Sequence, residues 1–173
     1  MKRALLASVL ALTLGAGQVL AQSSSGPLKI GVLNDQSSSF STFSGIGSVE
    51  AAKLAVQDFG GKVLGQPIEV VAADHQNKPD VGLAIARQWF ERDGVDVLVD
   101  IANSAIALGV NNLLKDVKKL GLFVSPITDR MTEEDCNGYG IAWAYDAYSV
   151  SRTSAVAQAQ RGVDSWFLIS PDY

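Results

Sequence analysis

The sequence is short of the residue types that most catalytic and cross-linking chemistry needs. It has one cysteine, Cys136, and one histidine, His75, among 173 residues. A single cysteine excludes a disulfide framework within the chain. No His/Cys/Asp cluster occurs at metal-ligand spacing. Five prolines and 16 glycines are too few for collagen or a low-complexity linker. Positive charge is also scarce. Fourteen Lys+Arg against 18 Asp+Glu give a net charge of -4. That balance disfavours nucleic acid and anionic membranes as main partners. What is present is apolar residues, 47% of the chain, which excludes disorder and suffices for one domain with a core.

The first residues read as an address. Lys2 and Arg3 precede an apolar run from Ala4 to Gly17, and Val19-Leu20-Ala21 supplies a cleavage site. This is the pattern of a secretory signal peptide over residues 1–21. The run is shorter than the roughly 20 residues of a membrane span, and no later run is long enough either. Cleavage after Ala21 would leave 12 basic against 18 acidic residues, a net charge of -6. Gln22 to Pro27 reads as a flexible leader. The expectation is an exported, soluble protein of the periplasm.

The body alternates strand and helix. Leu28–Leu33, Ile68–Ala73, Val95–Ile101 and Leu122–Val124 are short apolar strands. Helices fall between them: Ile46 to Phe59, stopped by Gly60-Gly61; Asn77 to about Arg92, with Pro79 in its first turn; and one from Ser104, which can cap it, to Leu120. Val95–Ile101 is nearly all apolar, as for a strand covered on both faces. Strands joined by such helices are parallel, with right-handed crossovers. The fold class is therefore α/β, a three-layer Rossmann-like lobe with a parallel sheet. Thr128 to Gly140 is polar and acidic without periodicity. Ile141–Tyr145 reads as extended, Ser149–Arg161 as a helix and Ser165–Ile169 as another buried strand.

In an open parallel sheet, ligands sit beyond the carboxyl ends of the strands. The residues there are Asn34–Phe43, Asp74–Gln76, Asp100–Ser104 and Ser125–Thr128. They offer hydrogen bonds and stacking, and no nucleophile with its base. Asn103-Ser104 at the start of the third helix suits a ligand carboxylate, through free backbone N–H groups and the helix dipole. It equally suits a plain N-cap. Phe40 and Phe43 either stack on a ligand or pin their loop to the core. His75 reads as a surface or capping histidine. Gly45-Ile46-Gly47 lacks the third glycine of a dinucleotide fingerprint. Asp35, Asp100 and Ser125 mimic a phospho-accepting receiver domain, but that domain needs a lysine where Ser170-Pro171 stands. An α/β-hydrolase needs a Gly-x-Ser-x-Gly elbow, and Glu50 occupies the second glycine's place after Gly47-Ser48.

Several stretches together carry a resemblance. Val32 to Ser37, Gly45 to Phe59, Gly60-Gly61-Lys62-Val63-Leu64-Gly65-Gln66-Pro67-Ile68, Asp74 to Pro79 and Ala86-Arg87-Gln88-Trp89-Phe90 resemble extracytoplasmic solute-binding proteins of ABC importers. The likeness runs from Leu28 to Tyr173. It is to the type I family typified by leucine/isoleucine/valine-binding proteins. The run Trp143 to Tyr148 is similar to a branch with varied carboxylate ligands, aromatic acids included.

The resemblance implies two Rossmann-like lobes joined by a hinge, closing on a small carboxylate that is handed to a permease in the membrane. It implies a mature chain about twice as long. Residues 28–127 would be lobe 1, 128–146 an acidic loop and hinge crossing, and 147–173 the beginning of lobe 2. By the same resemblance Phe43 covers the ligand, Asn103 and Ser104 bind its carboxylate, and Ser125 and Thr128 contact it from the loop after the fourth strand. That loop is one residue shorter than usual. Tyr145 and Tyr148 would close on the ligand from the crossing. Family members with a first-lobe disulfide have a cysteine near Asn77; its lack here leaves Cys136 unpaired. The expected protein is a monomeric binder that uses no cofactor and no metal, touches no nucleic acid and is not an enzyme. The alternatives are a receptor's sensing module of the same fold, or an exported α/β enzyme.

Overall fold

The computed structural model describes residues 26–170. The expected signal peptide and most of the leader lie outside them. Strand β1 spans Leu28–Asn34, followed by helix α1 (Gly45–Asp58), β2 (Lys62–Val63), β3 (Gln66–Asp74) and α2 (Pro79–Gln88). Then come β4 (Val97–Asp100), α3 (Ser104–Val117), β5 (Leu120–Phe123), β6 (Gly140–Ala142) and α4 (Ala147–Gln160). The sheet runs β2-β3-β1-β4-β5-β6. All neighbours are parallel except the two-residue β2, which folds back antiparallel on β3. The alternation of strand and helix thus gives the parallel α/β sheet expected. β2 was not expected, because two residues between glycines show no periodicity.

The core lies on one face. Leu33, Leu98 and Phe123 point toward α2 and α3, where they meet Ala86, Trp89, Val95, Ile106, Val110 and Leu114. The two helices cross closely through glycines. A Cβ at Gly82 would lie 2.6 Å from Ile106, and one at Gly109 would lie 2.7 Å from Leu83. The helix expected to run to Arg92 instead ends its α-helical part at Gln88. A π-helical turn, Trp89–Asp93, follows and is closed by Gly94 at φ 71°. The wider turn buries Trp89 and Phe90 side by side.

The other face is half-covered. Helix α1 packs mainly on β1 and β3. β4 therefore alternates, with Leu98 buried and Val97 and Val99 partly open. The expectation of a strand sealed on both faces fails there, because among the described residues no helix lies over β4 to β6 on that side.

Beyond β5, hydrogen bonds replace periodicity. Asn111 Nδ2 donates to Asp135 O (2.8 Å), and Asn137 Nδ2 donates to Asn111 O (3.2 Å). Asn137 Oδ1 accepts the N–H groups of Tyr139 (2.9 Å) and Gly140 (3.1 Å). This holds the expected extended segment as edge strand β6. Helix α4 starts at a capping box, Asp146 with Ser149, and buries no residue. Ser165–Ile169 is neither strand nor buried, with Phe167 88% exposed. Its apolar run meets the strand pattern, yet a strand needs a neighbour to bond, and none pairs with it among the described residues. No described helix is long and apolar enough to cross a membrane.

Candidate functional site

Parallel strands bring their carboxyl ends to one edge. Asn34 stands opposite Asp74, Leu33 opposite Asp100, and Asp100 opposite Phe123. Asn34, Asp74 and Asp100 thus form one polar row, with Ser125 two residues past β5.

The serine-rich loop after β1 is folded around two carboxylates. Asp35 is fully buried. Its Oδ1 accepts the N–H groups of Ser37 (3.3 Å) and Ser38 (2.8 Å), and its Oδ2 accepts the Ser38 hydroxyl (2.5 Å) and the Phe40 N–H (2.8 Å). Burial pushes the Asp35 carboxyl up. The Ser38 hydroxyl and the three backbone donors outweigh burial and hold it below the ordinary 3.8. Asp74 behaves likewise. Burial raises it, but the Ser37 hydroxyl (2.5 Å) and the N–H groups of Gln36 (2.9 Å) and Gln76 (2.8 Å) bring it below 3.8, against the Asp35 charge. Asn34 Nδ2 donates to the carbonyls of Ser44 (3.0 Å) and Gly45 (2.5 Å), fixing where α1 begins. The frame leaves Phe43 57% exposed at its end, while Phe40 is half-buried.

The turn from β4 into α3 is strained. Asp100 has φ 78° and Ile101 φ 64°. Left-handed backbone costs about 1–3 kcal/mol at a residue such as β-branched isoleucine, and such strain clusters at binding sites. Burial of Ile101 and the bond from the Ser125 hydroxyl to Asp100 Oδ1 hold it. Asn34 Nδ2 lies 3.5 Å from the other Asp100 oxygen.

Helix α3 is capped by Asn103, not by Ser104. Buried Asn103 accepts the Ile106 N–H at Oδ1 (3.0 Å) and the Ala107 N–H at its carbonyl (2.9 Å), and its Nδ2 donates to Asn77 Oδ1 (2.7 Å). Ser104 is the first helical residue, partly exposed. The N–H groups of Ser104 and Ala105 meet no acceptor among the described residues. Two N–H groups without an acceptor, one adjacent hydroxyl and the positive end of a 14-residue helix are the chemistry that suits an anion.

The other expected residues are spread more widely. Phe43, Asp100 and Ser125 line one cavity of about 610 Å³ under α1. Its walls are apolar: Ile30, Ala52, Val56 and Val99. It lies between α1 and the sheet and offers a carboxylate no cation. Thr128 precedes a 3-10 turn, Asp129–Met131, and Asp129 Oδ1 accepts the Tyr148 N–H (2.9 Å). Tyr148 is thereby tied to the Thr128 segment, with Arg152 5.7 Å from its ring centre. Tyr145 and Tyr148 are exposed. Cys136 is free and exposed.

His75, read as a surface or capping histidine, is fully buried and holds the turn, its Nδ1 accepting the Asn77 N–H (3.0 Å); Asn77 is the partner of Asn103, which the sequence did not show. The only sequence signal was position, since both lie in the turn after a central strand. No three His, Cys, Asp or Glu side chains among the described residues are placed to hold a metal ion.

The chain is an open parallel α/β sheet with unpaired helix N–H groups at its carboxyl edge. A model described as "Periplasmic binding protein" matches residues 27–173, and the chain belongs to that family. A periplasmic binding protein from Burkholderia mallei shares 41% identity with a TM-score of 0.76, covering 80% of this chain and 37% of its own. A branched chain amino acid ABC transporter periplasmic ligand-binding protein from Burkholderia xenovorans LB400 shares 48% identity with a TM-score of 0.73, covering 78% and 36%. An ABC transporter solute binding protein from Rhodopseudomonas palustris BisB5, solved with 3,4-dihydroxy benzoic acid, has the same fold at 22% identity and a TM-score of 0.69, covering 79% and 37%. The chain thus spans little more than a third of these proteins' length. No curated protein matches it.

Proposed function

We propose that the chain is the first ligand-binding lobe, residues 28–127, of an extracytoplasmic solute-binding protein that captures a small carboxylate for an ABC importer in the membrane. The carrying observation is the α3 turn. The free N–H groups of Ser104 and Ala105 take the carboxylate, with the Ser104 hydroxyl beside them. Phe43 forms an aromatic cover from the rigid loop after β1. Ser125 and Thr128 border the site, and Tyr145 and Tyr148 close over it from the crossing at 128–146. Residues 147–173 begin a second lobe, and closure is a hinge motion driven by better ligand contacts in the closed state. The family supports a periplasmic binder rather than an enzyme.

The Burkholderia xenovorans relative is named for branched-chain amino acids, and the Rhodopseudomonas palustris protein of the same fold holds a benzoate-type acid. Both ligand types carry the carboxylate this turn suits. Calorimetry against leucine and 4-hydroxybenzoate tests the reading. Ser104→Ala with Phe43→Ala is expected to weaken binding by roughly tenfold or more, a hydrogen bond to a charged group being worth about 1.5–3 kcal/mol. Unchanged affinity in the double variant would remove this site.

A further inference from the structure

His75 is the chain's one histidine, and it is sealed in the protein. Its Nδ1 accepts the N–H of Asn77 at 3.0 Å. Nδ1 therefore carries no proton and Nε2 carries it. Nε2 is buried and meets no partner among the described residues. From Asn77 the chain of bonds continues. Asn77 Oδ1 accepts Asn103 Nδ2 (2.7 Å), and Asn103 Oδ1 accepts the Ile106 N–H (3.0 Å). Three hydrogen bonds join the imidazole to the first turn of α3. Gln76 and Asn77 both sit at left-handed φ, 53° and 54°, so this turn keeps its shape only while something holds it.

We propose that His75 is a positioning residue for the anion-binding turn of α3, a latch that is closed while the imidazole is neutral and opened by its protonation. The proposal rests on the reading of that turn as the ligand site. A proton on Nδ1 would turn the acceptor into a donor facing the Asn77 N–H. Two donors cannot share that contact. Asn77 would move, and Asn103 would lose the group that fixes its amide.

The surroundings set when this happens. Asp35 from the loop after β1, Asp74 from the end of β3 and Asp100 from the end of β4 all favour the imidazolium. Burial opposes it more strongly and keeps the group below its ordinary 6.5. Asp35 and Asp74 are already committed to their own loop donors. From the α2 side, Lys78 turns its ammonium to Gln76 Oε1 (3.1 Å), and Asp80 is exposed in the first helical turn. The latch is thus shut at neutral pH and opens only on acidification below the ordinary 6.5, where a carboxylate held by α3 would be released.

The test uses the 173-residue chain labelled with nitrogen-15. A single histidine gives one unambiguous ring signal. The expected tautomer at neutral pH has its proton on Nε2. On acidification, the Ile106 amide and the Asn103 side-chain amide are expected to shift with the same midpoint as the ring, below 6.5. His75→Asn places a carbonyl oxygen near the Nδ1 position and cannot titrate. It is expected to keep Ile106 protected from hydrogen exchange while abolishing the pH response. His75→Phe removes the acceptor and is expected to lower that protection roughly tenfold at every pH. If His75→Phe does not fold, the wild-type titration and His75→Asn decide the matter. A proton on Nδ1 at neutral pH, an Ile106 amide indifferent to the ring titration, or a wild-type pH response in His75→Asn would overturn the proposal. Added 4-hydroxybenzoate separates the two ideas. If the ring and Ile106 titrate together but the acid moves no amide of α3, the latch stands and the ligand reading falls.

Discussion

Asn103 does two jobs with one side chain. Its oxygen caps α3 and its amide nitrogen holds Asn77. Asn103→Ala is expected to destabilise the fold by about 1–2 kcal/mol from the lost cap, and further because Asn77 loses its donor. Asn103→Asp keeps the cap but sets a carboxylate oxygen against Asn77 Oδ1 at a buried position, so its urea midpoint is also expected to fall below that of wild type. The carboxylates set the acid limit. Burial raises Asp35, Asp74 and Asp96, but hydrogen bonds, and for Asp96 also Lys119 and Lys29, hold all three below 3.8. A lowered folded-state value means stability that is full above 3.8 and is lost as pH falls below it. His75 is lowered too, so the unfolded chain binds the proton first. Its contribution is full above 6.5 and declines as pH drops from there toward its lowered value. Urea midpoints from about pH 8 to about pH 3 are expected to fall in two stages, the first absent in His75→Asn. At this scale Asn103, Ser104 and Phe43 stand out in the sequence as candidates because polar and aromatic residues at strand ends are conspicuous. The burial of His75 and the link from Asn77 to a side chain 26 residues away were not legible, because neither leaves a local pattern.

At the scale of elements, the α2–α3 contact carries much of the core. Gly82 meets Ile106 and Gly109 meets Leu83 where the helices cross. Gly82→Val is expected to cost about 2 kcal/mol or more through overpacking. Combining it with Ile106→Ala is expected to cost less than the two single losses added, since both act on one contact. Thermal denaturation of the three variants reads this out. Strand–helix alternation and the parallel order were legible because each apolar run was long enough to show its period. The π-helical turn was not, since Ala86-Arg87-Gln88-Trp89-Phe90 continues the helical pattern. Nor was the half-open face of β4, because an apolar strand reads alike whether or not a helix covers it. The strain at Asp100 and Ile101 is likewise a product of tertiary packing and leaves no mark on residue type.

For the whole molecule, apolar surface is the outstanding feature. Trp166, Phe167, Leu168 and Ile169 form one exposed run, and Ile141 and Val124 open onto the half-covered sheet face. Contiguous apolar surface of this kind drives association. The 173-residue chain is expected to bind an apolar dye and to sediment with concentration-dependent mass. Phe167→Ser with Leu168→Ser is expected to reduce both; unchanged dye binding would place the sticky surface at the sheet face instead. The role proposed for α3 is to present an anion-binding turn to a carboxylate. Its most direct measurement is an amide titration of the chain with 4-hydroxybenzoate and leucine, beside a control lacking the carboxylate. The result predicted is saturable shifts at the Ser104 and Ala105 amides that vanish with the control. Shifts confined to the cavity under α1, or no shift at Ser104 and Ala105 at saturating acid, would contradict it.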